Sequence, residues 1–213
     1  VNIKQALKIF FSKSSFEMIY FEALANALDA DATEFNIDIS LGDYKQLSNL
    51  VVTLSDNGVG FDDVRFRKFS KLLDVEEQSH KGLGRLVYLC YFDKVYVQSV
   101  FTHSKQRIFE FNETFNKECE VKNIQKSANG TIFKMTAFTG SKLGKNDYIK
   151  PSYIKKTLLE NFYAKFYKAK LNRKRIVVNI KTTIGGVASE EIINTDELPN
   201  FEVKTIEDQM NLF

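Results

Sequence analysis

Glu22-Ala23-Leu24-Ala25-Asn26-Ala27-Leu28-Asp29-Ala30 lies in a stretch where Phe16, Ile19, Tyr20, Ala23, Ala27 and Ala30 recur at spacings of three and four, the period of an amphipathic α-helix. The spacing predicts a helix near residues 16–29. Glu22 and Asn26 are four residues apart, about one turn, and so share one face. A carboxylate and an amide placed this way can address the same ligand group. Taken alone, the pattern also describes a surface helix whose polar residues face water.

Outward from this helix, strands are expected near 34–40 and 49–55, the second ending on Ser55-Asp56-Asn57-Gly58, where Asn-Gly marks a turn. Residues 61–81 mix charges without a clean period and read as one or two short helices in a mobile loop. The run Arg85 to Phe92 looks helical, and strands are expected at 94–101, 106–112, 119–125 and 131–137. The alternation of Val95, Val97, Ser99 and Phe101 supports them. A polar loop at Gly140 to Lys145, a helix from Tyr153 to Tyr167, and strands at Ile176 to Ile180 and Glu190 to Asn194 complete the pass. Helices before and between serial strands describe an α/β fold, a two-layer sandwich with helices on one face of a mixed, largely antiparallel sheet. No repeat or low-complexity tract interrupts it.

The 213 residues, 44% hydrophobic, suit one domain over 1–150 with a helix-strand extension of the same domain over 151–213. Thirty basic and 27 acidic residues leave a net charge of +3, too little for a global field toward nucleic acid or an anionic membrane. The one dense basic cluster, Lys165 to Arg175, keeps a phosphate-rich partner such as nucleic acid among the options. Cys90 and Cys119 have no metal-ligand spacing and read as idle thiols of a reducing compartment, while His80 and His103 stand alone. No apolar run reaches membrane-span length and no signal peptide heads the chain, so a cytoplasmic protein without membrane contact is expected. The chain starts on Val1 and reads as a piece of a longer protein.

Three further blocks follow the helix in order. Asp56-Asn57-Gly58-Val59-Gly60 closes a strand, and its glycines allow close backbone approach. Lys81-Gly82-Leu83-Gly84-Arg85 precedes a helical run, where unpaired N–H groups and nearby cations suit a phosphate. Asn129-Gly130-Thr131 opens a strand and brings a hydroxyl that donates and accepts at once. No Gly-x-x-x-x-Gly-Lys-Ser/Thr or protein-kinase signature occurs.

With these blocks the sequence resembles the GHKL ATPase superfamily (DNA gyrase, heat-shock chaperones, histidine kinases, MutL) over residues 10 to 140, most closely its chaperone-like and MutL-like hydrolysing branch. The resemblance implies the Bergerat ATP-binding fold. Glu22 would be the catalytic base that activates water, and Asn26 the ligand of Mg²⁺ in a hydrolysing ATPase. Asp29 and Ala30 complete that motif. Asp56 would read the adenine amino group, with Gly58, Gly60 and Phe61 beside the nucleotide and Thr131 sharing a water with Asp56. Lys81, Gly82, Leu83, Gly84 and Arg85 would meet the phosphates at the end of a lid spanning about 61–84.

ATP or ADP is then the expected ligand and Mg²⁺ the cofactor. ATP-dependent homodimerisation is expected in the full-length protein. No transducer segment is evident in 151–213, so a distal lysine for the γ-phosphate is not found. Two alternatives remain at this point: a nucleotide-sensing dimerisation module that does not hydrolyse, and the catalytic domain of a histidine kinase.

Overall fold

A computed structural model of the chain describes residues 14–71, 84–140 and 143–200. It is an α/β fold with one mixed eight-stranded sheet. Helix α1 spans Met18–Asp29, followed by strands β1 (Glu34–Leu41) and β2 (Val51–Asp56). Helix α2 (Asp63–Ser70) and a 3₁₀ segment (Gly84–Cys90) precede β3 (Phe92–Phe101), β4 (Lys105–Phe111), β5 (Glu120–Asn123) and β6 (Gly130–Phe138). Helix α3 (Pro151–Leu171) leads to β7 (Val177–Ile184) and β8 (Val187–Asn194).

The strands lie in the order β5-β4-β3-β6-β2-β1-β7-β8. β7 pairs parallel to β1, and the other neighbours pair antiparallel. Residues 151–200 therefore add two strands and a helix to the same sheet. Pro151 starts α3, where its fixed φ and missing N–H cost nothing. Its apolar positions Ile154, Leu158, Phe162 and Phe166 are buried, a three-to-four-residue repeat that docks one stripe.

Two elements differ from expectation. The run after Gly84 is a 3₁₀ segment ending at Cys90, and Phe92 already belongs to β3. Tyr88 and Leu89 are buried along with Leu86 and Val87, a run apolar all round that carries no period to tell one helix type from another. Helix α3 runs four residues beyond Tyr167 because amphipathic lysines, Lys168 and Lys170, extend it toward its C-terminus.

α1 buries Ile19, Tyr20, Ala23, Leu24 and Ala27 against the sheet. It ends where Asp31 takes a left-handed φ of 61°, a conformation that Asp tolerates better than most residues. Asn57 clamps the chain that follows: its side-chain oxygen accepts from Thr33 N at 2.8 Å and Glu34 N at 2.9 Å, and its amide donates to Thr33 Oγ1.

Strand register then sets a transverse row. Phe35 pairs with Asp56, Asp56 with Thr131, Thr131 with Ser99, and Ser99 with Arg107, across β1, β2, β6, β3 and β4. Ser99 is fully buried and uses its whole bonding capacity: it accepts from Phe61 N at 2.8 Å, donates to Gly130 O at 3.1 Å, and meets Thr131 Oγ1 at 3.0 Å. Arg107, 3% exposed, donates to Phe61 O and Asp62 O at 3.1 and 2.8 Å and pairs with Asp63. Its guanidinium also stacks on Phe66 at 4.5 Å. Both polar groups of the Phe61 peptide environment are thus tied to the row.

Ser99→Ala is expected to cost about 1–3 kcal/mol, the usual cost of a buried donor left without a partner, because the Phe61 N–H would lose its acceptor. Urea unfolding of the variant beside the parent measures it, and a difference under about 0.5 kcal/mol would show that water replaces the hydroxyl.

Candidate functional site

A hollow of about 270 Å³ opens between α1, the ends of β2 and β6, and α2, near the small end of ligand sites, roughly 300–1,000 Å³. α1 presents Glu22, Asn26 and Asp29 to it from one face, while Ala23, Ala27 and Ala30 keep it open. Small side chains at these turns leave space that a Leu or Phe would fill. Leu54, Phe35 and Phe133 give it apolar walls.

Glu22 is half-buried, and its Oε1 accepts from Asn26 Nδ2 at 3.0 Å. That bond commits the Asn26 amide nitrogen and leaves the amide oxygen available as a hard-cation ligand. Gly84 lies against the same carboxylate, and any Cβ there would collide with the Glu22 oxygens. A side chain at position 84 would displace the Glu22 carboxylate, so the glycine lets it keep this place.

Asp56 lies on the floor of the hollow. Its Oδ1 accepts from Gly58 N at 2.8 Å. Burial pushes its carboxyl up to about 6, against the opposing pull of the Gly58 and Thr131 backbone N–H groups. Since the single Ser99 proton goes to the Gly130 carbonyl, the Thr131 hydroxyl donates to Ser99 and turns its lone pairs elsewhere. Gly60 has a φ of 76°, and a Cβ there would strike the Val100 carbonyl, so only glycine lets the chain turn from the floor into α2. Phe61 lines the hollow, whereas Gly58 packs beneath Ala30, next to the bond from Val59 N to Ala30 O at 3.0 Å.

Arg85 is 8% exposed and forms part of the wall. Its Nη2 donates to Lys71 O at 3.3 Å and its guanidinium lies 4.8 Å from the Phe69 ring. Burial lowers it to about 10, while the nearby Glu22 charge raises it. The Nη2 bond links Arg85 to Lys71 and occupies one of its guanidinium nitrogens, while Nε is buried without a partner among the described residues. Tyr88 is buried beside Asn26 and Arg85, and burial raises its phenol well above the ordinary value, with Glu22 adding to the effect.

Lys81, Gly82 and Leu83, with half of the expected lid, lie outside the described residues, as does His80; residues 61–71 of that lid are described and carry α2. His103 sits in the β3–β4 turn, its ring nitrogen 3.2 Å from Ser127 O, and does not line the hollow. Within the basic cluster, Lys170 is bonded to Leu198 O, Lys174 faces Asp31 at 3.6 Å, and Arg175 faces Asp196 at 3.5 Å. Lys165 lies over the Phe162 ring, so most of that cluster is engaged within the fold. Among the described residues no group of three His, Cys, Asp or Glu could hold a metal ion unaided, and no helix is long and apolar enough to cross a membrane.

The sequence reading did not single out Ser99, Arg107, Arg65 or Lys68. Ser99 was legible only as an inward position in the alternation of β3, and its polarity there was the available signal. Arg65 and Lys68 also line the hollow.

No family model matches the sequence, and no curated protein matches it. Among solved structures the chain is similar to one described as "Crystal Structure of N terminal domain of a DNA repair protein", with a TM-score of 0.54 and 15% sequence identity. The match covers 91% of this chain and 55% of that chain, so the chain spans about half the length of that neighbour. The likeness is one of fold.

The raised carboxyl of Asp56 has a stability consequence of definite sign. A folded-state value near 6 against 3.8 for the free group means its contribution is present in full below pH 3.8 and lost as pH rises through 6. Thermal unfolding from pH 4 to 8 is expected to show an Asp56-dependent loss of stability on the order of 2–3 kcal/mol, absent from Asp56→Asn. Parallel profiles for the two proteins would place the carboxylate in water.

Proposed function

We propose that the chain is the ATP-binding and ATP-hydrolysing module of a GHKL-type protein, with the two-layer Bergerat sandwich as its fold. ATP closes the lid and promotes dimerisation of a larger chaperone-like or DNA-associated protein. One observation carries this reading: Glu22 and Asn26 from α1, Asp56 and Gly60 from the β2 end, and Thr131 from β6 line a single hollow despite their separation along the chain. A conformational switch is cytoplasmic in this reading.

The roles follow from the groups present. Ionised Asp56 accepts the adenine amino hydrogen and discriminates against guanine, whose corresponding position is an acceptor. Leu54 and Phe133 exclude water from the base. Thr131, with its lone pairs free of Ser99, can accept from a water that also meets Asp56. Glu22 orients a water and takes its proton as the oxygen attacks the γ-phosphorus; the bond to the β–γ bridging oxygen breaks and ADP departs. The Asn26 amide, by donating to Glu22, fixes that carboxylate.

The donor set fits Mg²⁺ only together with a nucleotide, since Asn26 Oδ1 offers one hard oxygen ligand and phosphates and waters must supply the others. The ion, when bound, neutralises phosphate charge. Every proton and positioning step above belongs to side chains of this chain.

Adenine nucleotides with Mg²⁺ are expected to raise the melting temperature, a ligand at a hundred times its Kd adding ~2.7 kcal/mol. Asp56→Ala should abolish the shift, and GTP should produce none; an equal shift with GTP would remove Asp56 as the base reader.

Glu22→Gln should bind ATP with parental affinity and lose about 10²–10⁴ in turnover, measured by phosphate release. Parental turnover in that variant would remove Glu22 as the base, and no phosphate release by the parent itself would leave nucleotide sensing without hydrolysis as the function.

A further inference from the structure

We infer that Arg65 and Lys68, on the face of α2 turned to the hollow, bind the phosphates of the nucleotide, an inference that rests on the adenine-nucleotide reading of this site. The two residues are three positions apart in α2 and both line the hollow, as neighbours on one helix face do. Arg65 is half-buried and Lys68 exposed, and neither side chain makes a hydrogen bond or ion pair with another described residue. A guanidinium at the hollow that no protein anion occupies is open to the oxygens of an anionic ligand.

The charges around the hollow point the same way. Glu22, Asp29 and Asp56 bring carboxyl groups to it, and an anionic ligand entering there needs positive charge. Arg85, also in the lining, spends Nη2 on Lys71 O and stacks on the Phe69 ring. Arg65 and Lys68 are the remaining cations of the lining among the described residues. Arg suits bidentate binding of phosphate oxygens, and Lys supplies a point charge one turn away.

α2 is also held firmly enough to aim them. Asp62 caps it, accepting from Arg65 N at 2.7 Å. Arg107 holds the Phe61 and Asp62 carbonyls, and Ser99 holds Phe61 N. Phe69 locks the far end among Phe61, Phe109 and Phe111, with ring centroids 5.3 Å away in each case. Cations fixed before the ligand arrives lose less freedom on binding.

Calorimetric titration of the chain with adenosine, AMP, ADP and ATP, each with Mg²⁺, tests this. The parent should gain affinity along the series, and more steeply at low salt. Arg65→Ala and Lys68→Ala should each leave adenosine binding unchanged and weaken ADP and ATP by about tenfold or more. Arg65→Lys should fall between parent and Arg65→Ala, which a loss of folding would not produce. Unchanged ADP and ATP affinity in both alanine variants, with binding still abolished by Asp56→Ala, would overturn the phosphate role and leave the nucleotide site standing. No binding of any of the four compounds by the parent would overturn the site reading and this inference together.

Discussion

Asp56, Thr131, Ser99 and Arg107 form a line of polar side chains across the inner surface of a sheet otherwise packed with Ile, Val, Leu and Phe. A buried polar group demands a partner, because an unpaired one costs on the order of 1–3 kcal/mol. All of the row's side chains find partners inside the protein, with Arg107 Nε alone in that row left without one among the described residues. Most of the geometry of the site follows from how that demand is met. Ser99 and Arg107 take their partners from the backbone at Phe61 and Asp62, so the chain leaving Gly60 has one place to go. Asp56 takes Gly58 N, which curls the strand end over the hollow. A one-residue slip of β6 against β2 would turn Thr131 to the opposite face and undo the row.

The far wall is governed by space. α1 carries an apolar stripe toward the core and a separate row of Glu22, Asn26 and Asp29 toward the hollow. Its alanines stand between the two. Against this helix Gly84 lets backbone reach the Glu22 carboxylate, and Arg85, one residue on, ties back to Lys71. Lys71 is thereby linked to the residue that follows Gly84.

The aromatic cluster beneath α2 takes up seven of the 19 phenylalanines of the chain. Phe61, Phe66, Phe69, Phe109, Phe111, Phe115 and Phe133 meet largely edge to face, a packing worth more than its area alone. A short helix such as α2 has little stability of its own. Its place is set by this cluster and by Arg107, and through it the charges at Arg65 and Lys68 acquire fixed positions.

Local chemistry was enough to read α1, the strand ending on Asp56, and the alternating strands from β3 to β6, because period and turn residues act over a few positions. The candidates Glu22, Asn26, Asp56 and Thr131 were legible as motif residues for the same reason. The 3₁₀ geometry after Gly84 was not, since an apolar run without periodicity does not distinguish helix types. Nor could the sequence show that β7 joins β1 in parallel, that Arg85 turns to Lys71, or that Ser99 and Arg107 hold the start of α2. Those are consequences of register and of the satisfaction of buried polar groups, which depend on residues tens of positions apart meeting in three dimensions.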